Sequence, residues 1–281
     1  MSNYEIRTAQ RHELDFAIAL AVNEGWNPGL HDADCFYQTD PDGFLMGLLE
    51  DQPIACISAV SYGGTFGFIG FYIVKPEYRG QGYGIQIWDA AMKRLAGHNI
   101  GLDGVVEQQS NYVKSGFQLA YRNIRYEGVA SGLSLSANHL VPLKTVSFDD
   151  LCRYDRNFFP TQRESFLRGW TQLPEAIGIA SIEHNQLCGY GVIRRCRQGY
   201  KIGPLFSDTP EIAESIFLHL SSSVDTDSPI FLDIPEVNTA AIELVNKHQM
   251  KKVFETARMY TLKQPSLAVN RLFGVTTFEL G

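Results

Sequence analysis

Apolar runs with the period of a strand alternate along the chain with runs of helical spacing. "NYEIRTA" reads as a first strand, and "QRHELDFAIALAVNEG" as a helix, with Leu14, Phe16, Ala17, Leu20 and Ala21 on one face and Gly25 at its end. "WNPGLHDADCFYQTDPDG" is rich in turn formers and predicts a loop or a short helix. "FLMGLLE" and "IACISAVSYG" flank Asp51-Gln52-Pro53 as a hairpin, and "TFGFIGFYIV" follows as another strand. "GQGYGIQIWDAAMKRLAGHN" has the spacing of a helix closed by Gly97. "IGLDGVVEQ" predicts a strand, and "SNYVKSGFQLAYRNIRYEG" a short helix leading into a last one. The alternation implies an α/β fold of the α+β kind, around a mixed sheet.

The small, polar stretch from Gly128 to His139, "GVASGLSLSANH", has the composition of a linker. It divides the chain into domains at 1–130 and 141–281. The second half repeats the order of the first at a constant offset. Glu183 follows Glu50 by 133 residues, Ile202-Gly203 follows Ile69-Gly70 by 133, and Met250 follows Phe117 by 133. Constant register points to duplication of one unit rather than to chance agreement of two α/β segments.

Composition narrows the function. At 281 residues and 44% hydrophobic, the chain has core material for two ordinary domains. Its net charge of -7 repels a nucleic-acid backbone. Five irregularly spaced cysteines, with no CxxC, argue against a disulfide framework or a zinc site, so no metal is expected. The polar N-terminus and the lack of a run of ~18 apolar residues predict a cytoplasmic protein that neither enters nor spans a membrane. Either a monomer or a homodimer fits.

The chemistry centres on "IVKPEYRGQGYGIQIW", from Ile73 to Trp88. A strand ends at Pro76, and the next helix begins among three glycines. The first amides of a helix have no internal partner, and with the helix dipole they form a site for anionic oxygens. Glycines let the backbone come close to such a ligand, and Arg79 adds a planar cationic fork. A P-loop would need GxxxxGK before Ser or Thr, and a dinucleotide fingerprint GxGxxG. Neither is present.

"VKPEYRGQGYG" resembles the acetyl-CoA motif of the GNAT N-acetyltransferases, Q/R-x-x-G-x-G/A, with Arg79, Gly82 and Gly84 at its fixed positions and Gln81 and Tyr83 beside them. The resemblance implies tandem GNAT-like domains with acetyl-CoA as co-substrate. Backbone amides of Gly80, Gln81, Gly82, Tyr83, Gly84 and Ile85 would then hold the CoA pyrophosphate. The backbone around Tyr72, Ile73 and Val74 would hydrogen-bond the pantetheine arm where two strands splay apart. "NYVKSGF" resembles the family's Y-x-x-x-G-F signature. It implies that Tyr112 is the general acid for the departing thiolate and that Asn111 contacts the pantetheine. A phenol of ordinary pKa near 10 is protonated at neutral pH and suits that role, although Tyr112 also reads as a packing aromatic. Over nearly its full length the chain is similar to two-domain members of the family in which "EGWNPG", "QGYKIGPLF", "FLDIPE", "FETARMY" and "FGVTTFELG" recur.

The second half reads "PLFSDTPEIAES" in place of the glycine loop, with Asp208, Glu211 and Glu214 where the first half has Arg79. Carboxylates there repel phosphate, and Asp208 or Thr209 reads as an N-cap with Pro210 at the first helical position. One CoA site is therefore expected, with a degenerate copy that shapes the acceptor pocket. Asp233 and Glu236, at a strand end, are candidates for binding an amine, or else cap a turn before the helix near Asn238. An attacking amine must be neutral. Glu107 is the candidate base or relay, and His31 and Asp32 are alternatives on the substrate side, where Trp26 offers a pocket wall. Each of these also reads as an ordinary strand-end or loop residue. A backbone amide near Val74 would stabilise the developing oxyanion. No Ser–His–Asp or Cys–His set is evident, so direct attack in a ternary complex is expected. The acceptor would be a small amine. The alternatives are acetylation of a protein or peptide, and a non-catalytic acyl-CoA sensor.

Overall fold

A computed structural model describes residues 3–130, 132 and 139–281, so most of the expected linker lies outside the described residues. The first half runs β1 (Tyr4–Thr8), α1 (Leu14–Asn23), α2 (Asp32–Thr39), β2 (Phe44–Leu49), β3 (Gln52–Tyr62), β4 (Phe66–Val74), α3 (Tyr83–Arg94), β5 (Asn99–Val105), α4 (Gln109–Lys114) and β6 (Gln118–Val129). The second half repeats this order with β7 (Leu140–Pro142), α5 (Phe148–Asp155), α6 (Glu164–Trp170), β8 (Ile177–Glu183), β9 (Gln186–Arg195), β10 (Tyr200–Ser207), α7 (Pro210–Ser222), β11 (Pro229–Pro235), α8 (Thr239–Lys247) and β12 (Lys251–Tyr260), and adds β13 (Leu272–Gly274). The ambiguous stretch after Trp26 forms helix α2. β8 starts 133 residues after β2, and β12 starts 133 after β6, in the register read from the sequence. α7 starts only 127 residues after α3. The six missing residues correspond to the glycine loop.

All strands belong to one mixed sheet, ordered β1-β2-β3-β4-β5-β12-β6-β11-β10-β9-β8-β7, with β13 attached to β10. Among the described residues only β4–β5 and β10–β11 are parallel pairs. The centre departs from two side-by-side domains. β12 lies between β5 and β6, pairing Met259 with Leu102 and Arg258 with Tyr121. β6 in turn lies between β12 and β11. β6 of the first half and β12 of the second have thus changed places, and among the described residues β6 has no sheet neighbour from its own half. The division at 130 and 141 is a division of sequence that the sheet crosses.

Three apolar clusters hold the layers. In the first half Ile87, Trp88 and Ala91, the inner face of α3, pack on β3 and β4. In the second, Ile212, Ile216 and Leu220 of α7 do the same on their sheet. The third spans both halves. There Phe36 of α2 stacks on Trp170 of α6 at 6.1 Å, and Gly169 lets α6 approach Cys35. Three buried, bidentate ion pairs also cross between halves: Asp32–Arg194, Arg125–Asp233 and Asp103–Arg258. A buried charge needs such pairing to survive desolvation.

Candidate functional site

β4 and β5 pair from Phe66–Asn99 to Ile69–Leu102 and then part. The cause lies in β4, where pairing with β3 slips between Cys56 and Ser58 and Phe71 takes a φ of 47°. A non-glycine residue in that region is strained and persists only when its surroundings hold it. Phe71 is buried, and the Cys56 thiol donates to its carbonyl at 3.2 Å. Beside it, Gly70 lies so close to the backbone of Glu279 that a Cβ would stand 2.1 Å from that carbonyl oxygen.

The parted strands open toward α3. Its N-cap is Gly82, at a φ of 86°, and no side chain caps that end, so the first amides of the helix face outward bare. Gly80 also has a positive φ, and open space lies beside both glycines. Arg79 folds back along the strand end. Its Nε donates to the Val74 carbonyl at 2.8 Å, and its guanidinium pairs with Glu24 at the end of α1.

A cavity of about 500 Å³ follows the cleft from Arg79, Gly80, Gly82, Gly84 and Ile85, past Tyr72, Ile73 and Val74, to Trp26. Tyr112 also lines it, with its ring lying over Gly104 and 5.6 Å from Trp88. Burial pushes the Tyr112 phenol well above its ordinary pKa, which keeps it a proton donor across the neutral range.

Other sequence-predicted residues lie elsewhere. The Gln81 side chain donates to the Glu77 carbonyl, and Tyr83 packs between Tyr4 and Tyr78, so their backbone alone faces the helix mouth. Asn111 is exposed and donates to Gln108, which lines the cavity in its place. Glu107 is exposed in a turn outside the lining. His31 stands 3.8 Å from Glu175, away from the cavity. Asp32 binds Arg194 and accepts the Gly29 amide at 2.9 Å, and both its oxygens are occupied. Asp233 is held the same way by Arg125 at 2.7 and 2.8 Å. Glu236 accepts the Arg122 amide at 2.9 Å on the surface. Asp32 and Asp233 therefore hold the halves together, since protonating either would strand a buried guanidinium.

The second half walls the far end of the cavity, but with other residues. Phe254 and Thr256 of β12, and Phe278 and Glu279 of the closing segment, line it opposite Asp103 and Trp26. Thr256 is buried, and its hydroxyl has no partner among the described residues. Phe278 and Phe254 rest on the Arg125 guanidinium at 5.0 and 5.7 Å. Arg125 also donates to the Trp26 carbonyl at 2.8 Å, and Lys201 to that of Asn27 at 3.1 Å. The Trp26 loop is thus clamped from the second half. The alternation of Phe254, Thr256, Arg258 and Tyr260 along "FETARMY" is the sequence signal that marks this wall.

The second half builds the same wedge and fills it. β10 and β11 pair only as far as Ile202–Leu232. β13 then adds to β10, and the Val275 amide donates to the Asp233 carbonyl at 2.7 Å. α7 is capped by Thr209, which accepts the Ile212 amide at 3.3 Å, with Pro210 at its first position.

Residues 6–115 match the family model described as Acetyltransferase (GNAT) family, and residues 151–274 match one described as Acetyltransferase (GNAT) domain. A relative named holothin acyltransferase, from Pseudoalteromonas sp. (strain SANK 73390), is 28% identical over 98% of this chain and 94% of its own. Among solved structures, a Pyrococcus horikoshii protein assigned as an acetyltransferase superposes with a TM-score of 0.84 at 22% identity, over 99% of this chain and 96% of that one. A tandem GNAT protein from the clavulanic acid biosynthesis pathway does so with a TM-score of 0.63 at 10% identity, covering 92% and 98%. With a family match on each half, and the same fold in those neighbours, the chain belongs to the GNAT acyltransferases and carries two of their domains in tandem.

Proposed function

We propose that this enzyme transfers an acetyl group from acetyl-CoA to the primary amine of a small molecule, by direct attack in a ternary complex. The observation that carries the reading is the continuity of one cavity, from the bare N-terminus of α3 to an aromatic end walled by the second half. Amides from Gly80 to Ile85 receive the pyrophosphate, and the unpaired edge of β4 at Tyr72, Ile73 and Val74 receives the pantetheine. An amide near Val74 meets the developing oxyanion, and Tyr112 protonates the leaving thiolate. Enclosure by Trp26, Phe254 and Phe278 favours a small acceptor over a protein segment, which would need an open groove. The relative named holothin acyltransferase supports acyl transfer. The filled wedge and capped α7 of the second half support a single CoA site per chain.

Calorimetry with CoA is expected to give one site, and acetyl-CoA with a panel of amines is expected to release thiol. Tyr112→Phe should lower kcat by about 10²-fold or more with CoA affinity retained. A rate equal to wild type would remove Tyr112 from the reaction. CoA binding without thiol release for any amine would favour a sensor.

A further inference from the structure

An amine that arrives protonated must lose a proton before it can attack, and Glu107, His31 and Asp32 do not reach the cavity. Three carboxylates line it: Glu24, Asp103 and Glu279. Glu24 holds the Arg79 guanidinium at the helix mouth. Asp103 is gripped by Arg258 at 2.8 and 2.5 Å and accepts from Asn123 at 2.7 Å, so both its oxygens are occupied. Glu279 differs. It is 4% exposed, and the hydrogen bonds of the described residues use one of its oxygens, Oε2, which accepts from the Thr277 hydroxyl.

Its location is set by backbone contact. The Glu279 carbonyl lies against Gly70, at the point where β4 leaves β5. The Tyr112 ring lies over Gly104 on the β5 wall. Glu279 and Tyr112 thus line the same cleft from its two walls. The buried Thr256 hydroxyl, without a partner among the described residues, lines the same end and offers a further polar contact to an amine or a water.

Building on the acetyltransferase reading, we infer that Glu279 is the general base of this site and takes the proton of the acceptor ammonium. The ammonium gives one proton to the Glu279 carboxylate. The freed nitrogen lone pair forms a C–N bond to the thioester carbonyl carbon, and the C–S bond breaks. The thiolate takes the Tyr112 proton, and the tyrosinate recovers one from the new amide nitrogen through water. Glu279 then releases its proton to solvent. The products are the amide, the CoA thiol and one proton.

The test compares wild type, Glu279→Gln and Glu279→Asp, using the best alkyl amine and the best aryl amine from a panel. Alkyl amines are protonated near neutral pH, whereas aryl amines are neutral and have no proton to give up before attack. Glu279→Gln is expected to bind CoA as wild type does in calorimetry. It should lose about 10²-fold or more in kcat/KM for the alkyl amine and less than about tenfold for the aryl amine. The alkyl deficit should shrink as pH rises, and Glu279→Asp should recover part of the rate. Equal losses for both amines at every pH, or no loss, would overturn the assignment, as would a wild-type enzyme that accepts no alkyl amine. If wild type binds CoA but acetylates nothing, the acetyltransferase reading falls as well. If wild type acetylates and Glu279→Gln is unimpaired, only the base falls.

Discussion

Replacing Gly70 with alanine tests the contact on which the reacting end of the cavity depends. A Cβ there would lie 2.1 Å from the Glu279 carbonyl oxygen, 2.9 Å from its carbon and 3.0 Å from its Cα. Comfortable contact between such atoms is ~3.5 Å. All three are backbone atoms, so no rotamer change relieves the clash, and the segment around Glu279 must retreat by about 1 Å. Forcing a methyl into a packed site costs about 1–3 kcal/mol, which for a chain of this size is a fall in Tm of roughly 2–10 °C. Misplacing a reacting group by ~1 Å costs about 10²-fold in rate. Gly70→Ala is therefore expected to lower Tm within that range and kcat/KM by about 100-fold. CoA affinity, which the proposed site draws mainly from the α3 mouth, should change less than about threefold. Gly80→Ala is the contrast, because open space lies beside Gly80 and only its positive φ is strained. It should cost about 1–2 kcal/mol from the local backbone conformation alone, with no clash against other residues. Differential scanning calorimetry and thiol release read both variants. A Gly70→Ala protein with wild-type Tm and wild-type rate would refute the seating of the Glu279 segment on β4.

Arg194→Met leaves Asp32 as a buried carboxylate without its guanidinium and should destabilise the fold by about 3–5 kcal/mol in urea unfolding; the double variant with Asp32→Leu should recover most of that loss. Burial alone would raise the Asp233 carboxyl, but Arg125 holds it below the ordinary carboxylate range. Its stabilising contribution is therefore complete above pH ~4 and is lost as pH falls through the lower folded value. Urea midpoints measured from pH 7 down to pH 3 should show a steep acid limb that Asp233→Asn flattens.

Much of the fold was legible in the chain because it rests on local pattern. Strand and helix periods, the glycine mouth of α3 and the 133-residue register all depend on residues close in sequence. The Thr209 cap and Pro210 of α7 were equally local. The strand exchange was not, because nothing in the alternation of β12 says that it pairs with β5 rather than within its own half. The same non-locality hid the fate of the carboxylates. Asp32 and Asp233 look like candidate ligands until Arg194 and Arg125, 162 and 108 residues away in sequence, arrive beside them. Glu107 ends a predicted strand, but the chain turns there and leaves it in solvent. Glu279 stands in "VTTFELG", which carries no period, and only the glycine at position 70 hints that another backbone must come close. Even that hint does not say which one.

The exchange of strands has a consequence for synthesis. On the ribosome, β6 emerges with both its edges unsatisfied, and its two neighbours, β11 and β12, follow about a hundred residues later. At ~5–20 residues per second that is a wait of roughly 10 s. Through that interval the nascent first half carries the glycine mouth but neither of the aromatic side chains, Phe254 and Phe278, that later wall the far end of the cavity. A complete cavity and a closed sheet therefore arrive together, late in translation, and cutting the gene at the linker would yield two mutually dependent pieces.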